Sequence, residues 1–186
     1  MSRLSTIHPE GAMGKQRELL DTVQVQLGRV PNMFRTMAQS PAVLEGYLAL
    51  NRALAGGMLG ARMRQQLAIA TAQANECTYC LSAHTAIGKQ VGLTPDEAAA
   101  ARDGSATNPR TDAALKFARL VLERRGDVAD EDVAAIRRAG FTEGEVAEII
   151  AHVALNIFTN YFNKAADVEV DFPKVSLATE AMAGKR

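Results

Sequence analysis

The chain has 186 residues, is 47% hydrophobic, and sets 21 Lys plus Arg against 21 Asp plus Glu. That size and apolar content predict a single domain with ample material for a core, and the charge balance argues against a nucleic-acid or acidic-membrane partner. No apolar run approaches the ~18 residues needed to span a bilayer, the polar stretch Met1 to Arg17 predicts no signal peptide, and two cysteines are too few for a disulfide scaffold.

The predicted elements are all helices. The first runs from about Met13 to Leu27 and stops at Gly28, with Pro31 close behind. Ser40-Pro41 supplies an N-cap and a first-turn proline for a helix reaching about Ala55, before Gly56-Gly57. Residues 61–74 are strong helix formers, which Asn75 is expected to close in the left-handed conformation. The next helix spans about Thr78 to Val91 and ends at Gly92. Thr94-Pro95-Asp96-Glu97 reads as a capping box with a first-turn proline. Asn108-Pro109 opens a helix to about Arg125, and Asp130 is expected to cap a short one that stops at Gly140. Thr142 and Glu145 form a second capping box. It launches the longest apolar pattern: Val146, Ile149, Ile150, Val153, Ala154, Ile157, Phe158, Tyr161 and Phe162, at three- and four-residue spacing.

No segment alternates as a strand would. The expectation is an all-α, orthogonal helical bundle of seven or eight helices, with a core over about 15–172 and a frayed tail at 173–186. Met33, Met37, Met58 and Met63 read as core fillers, and Arg62 and Arg64 as solvent-facing.

Both cysteines lie in one short stretch, Glu76-Cys77-Thr78-Tyr79-Cys80-Leu81-Ser82-Ala83-His84. On a helix, Cys80 and His84 share a face one turn apart. Cys77 stands at the N-terminal edge, where free N–H groups and the dipole favour a thiolate. Two neighbouring thiols with an imidazole in reach suit redox chemistry: one thiolate attacks, the second thiol resolves the product, and a base takes the proton. His84 is nearer Cys80, which makes Cys80 the nucleophile and Cys77 the resolving thiol. The cytoplasm is the compartment that suits such thiols, and no cofactor is called for.

Duller readings stand beside this one. C-x-x-C pairs also occur as core cysteines. A structural zinc would need four ligands, and beyond Cys77, Cys80 and His84 only distant His152 or His8 remain. Covalent haem would need a histidine where Leu81 stands. On the last helix His152, Asn156, Thr159 and Asn163 fall within about 60° of one another. They suit a polar strip lining a cavity, or a solvated face together with Glu145 and Glu148.

The segment Gln73-Ala74-Asn75-Glu76-Cys77-Thr78-Tyr79-Cys80-Leu81-Ser82-Ala83-His84 resembles the active-site stretch of the alkylhydroperoxidase D (AhpD) family, within the carboxymuconolactone decarboxylase superfamily. From Val30-Pro31-Asn32-Met33-Phe34 through Asn156 to Asp167 the chain is similar to peroxidase-related members of that superfamily. The resemblance implies an all-helical fold assembled as trimers or hexamers. It also implies reduction of organic or hydrogen peroxides by a dithiol that a cellular thiol or dithiol donor regenerates. By position, it makes Cys80 the attacking thiol, Cys77 the resolving thiol and His84 the proton relay, in agreement with the helix geometry.

Two positions depart from the pattern. Gln65 stands where relatives carry a glutamate twelve residues before the first cysteine; it can orient an imidazole but cannot stabilise an imidazolium with charge. Tyr79 replaces a histidine, and a phenol with a pKa near 10 is a poor base. Glu76 is the carboxylate closest in sequence to take over the missing charge. The other readings are a redox- or metal-responsive protein whose thiols do not turn over, and a lactone decarboxylase of the same superfamily, whose chemistry does not call for a dithiol.

Overall fold

The computed structural model describes residues 2–178 and shows no strand among them. Nine α-helices follow in order: α1 (Gly14–Leu27), α2 (Asn32–Met37), α3 (Pro41–Ala55), α4 (Ala61–Ala74), α5 (Thr78–Gln90), α6 (Pro95–Arg102), α7 (Pro109–Glu123), α8 (Asp130–Arg138) and α9 (Glu143–Ala166). The fold is the expected all-α bundle. The six-residue α2 and a 3₁₀ turn at Pro9–Gly11 were not foreseen, because neither is long enough to show a helical period.

The punctuation residues act as their chemistry dictates. Thr94 Oγ1 accepts from Glu97 N at 3.2 Å while the Glu97 carboxylate accepts from Thr94 N at 2.8 Å. Thr142 and Glu145 repeat this at the head of α9 with distances of 3.2 and 2.9 Å. Each box satisfies donors the helix leaves free, worth about 1 kcal/mol. Asn108 Oδ1 accepts from the Arg110 and Thr111 amides to start α7.

Two caps differ from expectation. Ala129, not Asp130, is the N-cap of α8, and the reciprocal bond runs from Ala129 N–H to the Asp132 carboxylate at 2.9 Å. Asn75 keeps φ −85°, and the left-handed residue after α4 is Glu76, φ 53°. Placing the reversal one residue later leaves Asn75 free to donate from Nδ2 to Asn160 Oδ1 at 2.9 Å, while its carbonyl accepts from Lys164 Nζ at 2.7 Å.

Helix α4 is the hub, packed on α5, α6, α7 and α9, and α3 lies against α1, α2 and α9. Leu67, Ile69 and Ala72 of α4, Leu81 of α5, Leu115 of α7 and Ile149 and Val153 of α9 are buried in one continuous core. Met33 and Met37 are buried and Met63 partly so, whereas Met58 is exposed. Met58 belongs to a loop pinned by its backbone: its amide and that of Leu59 donate to the Glu148 carboxylate.

After α9 the chain turns at Asp167, φ 50°, and runs back across the molecule. Leu177 is buried in the core, Val175 N donates to Ser82 Oγ at 3.0 Å, and Arg102 holds the Ser176 carbonyl at 2.7 Å. Residues 174–178 are therefore a packed strap rather than a frayed end; the remainder of the expected tail, 179–186, lies outside the described residues.

Candidate active site

The thiol motif sits where α5 begins. Cys77 is the N-cap, and its sulfur accepts from Cys80 N–H at 3.3 Å. Cys80 lies one turn on, with the two sulfurs 2.7 Å apart. Both thiols are free and buried, 1% and 2% exposed. Only Cys80 lines the adjoining cavity, of about 350 Å³; Cys77 is behind it.

The electrostatics separate the two sulfurs. Burial alone would push the Cys80 thiol up, but donors outweigh it and bring it below its ordinary value: Cys77 S–H, then Asn163, with Asn160 and Thr159 adding from nearby. Of these α9 groups, Asn163 makes the full hydrogen bond, Nδ2 to Cys80 Sγ at 3.2 Å. Cys77 moves the opposite way, raised first by donating to Cys80 and then by burial. Cys80 is therefore the more readily ionised thiol of the two, although the helix edge by itself favours Cys77. One 3.3 Å amide contact to Cys77 is outweighed by the donors converging on Cys80.

His84 lines the same cavity one turn beyond Cys80. Its Nδ1 is 2.9 Å from Gln65 Oε1 on α4. An amide oxygen only accepts, so Nδ1 carries the proton and Nε2 keeps its lone pair. Burial, and then the like charge of His152, push His84 down to about 4, so the ring is neutral near pH 7. Gln65 fixes the tautomer without supplying a charge.

Tyr79 and Glu76 are placed differently. Tyr79 is buried; its hydroxyl donates to Asp171 Oδ1 at 2.9 Å and accepts from Met33 N–H at 3.1 Å. Asp171 also accepts from Asn32 N–H at 3.0 Å, and the Arg29 guanidinium stacks 4.4 Å over Phe172, which meets Tyr79 edge to face. Tyr79 thus ties the returning strap to α2 and to the thiol helix. Burial raises its phenol further from the range of a base. Glu76 is exposed and does not line the cavity, so the structure does not bring its carboxylate to the thiols.

Of the two readings open for the polar residues of α9, the structure selects the cavity. His152, Asn156, Thr159 and Asn163 are each 3–5% exposed, and Asn160 is fully buried. Thr159 and Asn163 face the thiol cavity. His152, Asn156 and Thr159, with Asn51, Arg64, Gln65 and His84, line a smaller adjoining chamber of about 50 Å³. Arg64, expected in solvent, is partly buried there and donates to the Ala55 and Leu59 carbonyls. Arg62 does face solvent, paired with Glu97 at 2.5 Å. The signal that could have singled out Asn160 was the accumulation of asparagines on a helix otherwise rich in apolar residues. Among the described residues no three His, Cys, Asp or Glu side chains converge as a metal site.

The arrangement can hold a thiolate at a cavity wall with a second thiol behind it and a neutral imidazole beside it. The cavity's outer walls are largely apolar, with Phe34, Tyr47, Leu48 and Phe172 among them.

Comparison with known proteins agrees with the fold. Residues 41–124 match the model of the carboxymuconolactone decarboxylase family. No curated protein matches the chain in sequence. Among solved structures, the alkylhydroperoxidase AhpD core of an uncharacterized peroxidase-related protein from Ralstonia eutropha JMP134 superposes with a TM-score of 0.81 at 29% identity, covering 91% of this chain and 92% of that one. A peroxidase-related protein from Silicibacter sp. TM1040 shares the fold with a TM-score of 0.75 at 22% identity, over 83% and 84% of the two chains. The debrominase Bmp8 in complex with 2,3,4-tribromopyrrole shares it with a TM-score of 0.76 at 19% identity, over 98% and 96%. The family segment spans the thiol helix and the fold is shared over most of the chain, so residues 41–124 resemble the carboxymuconolactone decarboxylase family and the chain has the AhpD-like fold.

Proposed function

We propose that the protein is a dithiol oxidoreductase that reduces peroxides through Cys80 and Cys77. The observation that carries this reading is the asymmetry of the pair: Cys80 faces the cavity and receives the donors, while Cys77 lies protonated behind it. The Cys80 thiolate attacks the outer oxygen of a hydroperoxide, and the O–O bond breaks. The sulfur becomes a sulfenic acid and the alkoxide leaves with a proton. Cys77 then attacks the Cys80 sulfur, releasing water and closing the disulfide. Two electrons from a small thiol or dithiol donor restore the pair. His84 Nε2, whose lone pair the Gln65 contact leaves free, takes and returns the proton. The cytoplasm and a homo-oligomer, trimer or hexamer, complete the proposal.

Steady-state consumption of cumene hydroperoxide with a dithiol donor tests it. Cys80→Ser is expected to abolish turnover. Cys77→Ser should allow one oxidation of Cys80 and then stop. Mild oxidation of the wild type should remove both thiols and lower the mass by about two hydrogens. A Cys77 variant that loses the first oxidation, with a Cys80 variant that keeps it, would reverse the roles.

A second reading rests on the likeness to the debrominase and on the aromatic walls of the cavity. A dithiol can also reduce an aryl bromide: a C–Br bond becomes C–H, bromide leaves, and both thiols end in the same disulfide. Bromide release from a bromopyrrole without peroxide consumption would favour it. An intact pair that reduces neither substrate would instead suit a redox-responsive protein.

A further inference from the structure

Gln65 leaves the relay without a fixed negative charge. His84 Nδ1 is committed to Gln65 Oε1, and an amide oxygen cannot pass a proton on. A proton that reaches Nε2 therefore has to leave from the same nitrogen. Burial prevents the ring from keeping it. The 50 Å³ chamber beside His84 is where it can go. That volume exceeds the ~10–15 Å³ one water requires, and the walls offer Asn51, Asn156, Thr159 and Arg64 as partners. On this chamber's wall stands His152, 5% exposed, and its Nε2 is buried with no hydrogen-bond partner among the described residues. An unpartnered imidazole nitrogen in a core is costly unless something transient uses it.

We propose that His152 is the second station of the proton path, exchanging a proton with His84 Nε2 through water held in the polar chamber. The proposal rests on the dithiol reading only for the source of the proton. The Cys80 S–H bond breaks with its electron pair left on sulfur. The proton passes to His84 Nε2, then to a chamber water, whose own proton goes to His152 Nε2. The sequence runs backwards to protonate the leaving alkoxide. His152 does not touch the reacting atoms and is a positioning residue acting through His84. The ionisable groups facing it are His84 from α5, Arg64 from α4, Tyr47 from α3, whose phenol burial keeps protonated, and Glu148 on its own helix. Arg64 disfavours a charge on His152 and Glu148 favours it. A proton on His152 in turn opposes one on His84.

Two measurements test this. NMR titration of the His84 ring in the resting protein needs no turnover. His152→Gln is expected to raise its pKa by about one unit, because an opposing charge nearby is gone. Single-turnover oxidation of Cys80 by cumene hydroperoxide should slow at least tenfold in His152→Gln and His152→Ala, and imidazole in the buffer should restore the Ala variant. An unchanged His84 titration, or a slowed Ala variant that imidazole does not rescue, overturns the proposal. His152→Asn serves where either variant does not fold. If wild-type Cys80 is inert to peroxide, the peroxidase reading fails, and the His84 titration alone decides the coupling of the two histidines.

Discussion

The two faces of α9 invert the usual order of a surface helix. Its inner face carries His152, Asn156, Thr159, Asn160 and Asn163, none more than 5% exposed, while its outer face shows Ile150 at 44%, Phe158 at 39% and Tyr161 at 59%. Burying polar groups inside and leaving apolar ones outside is unfavourable on both counts for an isolated chain. The inner face is explained by chemistry: three of its atoms, His152 Nε2, Asn160 Nδ2 and Asn163 Oδ1, are buried without partners among the described residues, and the face lies along the thiol and its chamber. The outer stripe is the apolar surface that the proposed homo-oligomer would cover. The contrast teaches that polarity on this helix follows the job of each face.

The most severe break is on the inner face. Asn163→Leu keeps the branched shape but removes the amide that donates to Cys80 Sγ. A hydrogen bond to a charged group is worth about 1.5–3 kcal/mol, which is about one to two pKa units. The Cys80 thiol should rise by that amount, and its alkylation rate at pH 7 should fall about 10- to 100-fold. A pH profile of iodoacetamide reactivity identical to wild type would show that Asn163 does not hold the thiolate.

Gln65→Glu sharpens the same face. A carboxylate 2.9 Å from His84 Nδ1 favours the imidazolium and should lift His84 from about 4 by roughly one to three units. The sign for stability follows. A histidine depressed in the folded state contributes stability fully above its unfolded value of about 6.5, and that contribution is lost as the pH falls toward 4. The wild type should therefore lose stability between pH 6.5 and 4 more steeply than the Glu variant, as urea titrations at several pH values would read. Equal slopes would place residue 65 outside the site.

Tyr79→Phe tests the strap that closes the cavity wall. It removes the bond to Asp171 and leaves the Met33 amide without its acceptor. About 1–3 kcal/mol is expected, or about 3–10 °C in melting temperature for a chain of this length. The thiol pKa should barely move, because the phenol does not hydrogen-bond Cys80. A large change in thiol reactivity with unchanged stability would give Tyr79 a part in the chemistry.

The outer face should be the mildest for the site and the strongest for assembly. Tyr161→Glu is expected to leave Cys80 alkylation within a factor of about two while shifting sedimentation toward the monomer. Unchanged sedimentation, or a wild type that is already monomeric at micromolar concentration, would remove the outer stripe as an interface.

Most helix boundaries were legible because capping chemistry is local. Thr94-Glu97, Thr142-Glu145 and Asn108 bond within three residues of themselves, so their geometry depends on nothing distant. The short α2, the Glu76 reversal and the packed strap were not legible. Each is decided by a partner far along the chain: Asp171 for Asn32, Asn160 for Asn75, and Ser82 for Val175. Met58 failed as a core residue for the same reason, its loop being set by Glu148.

The site divides along the same line. Sequence alone determined the thiol pair, the one-turn offset of His84 and the angular grouping of His152, Asn156, Thr159 and Asn163, because helical period is a property of the chain itself. Which neighbour each face meets is a property of packing. Only the tertiary structure turned the α9 strip inward, set Asn163 on Cys80 Sγ and aimed Tyr79 at Asp171 instead of the thiols. It alone left Glu76 outside and placed His152 across a chamber from His84. A periodic pattern states that residues share a face. Whether that face meets solvent, apolar core or a thiolate depends on helices brought together from elsewhere in the chain, and here that decided the chemistry of the site.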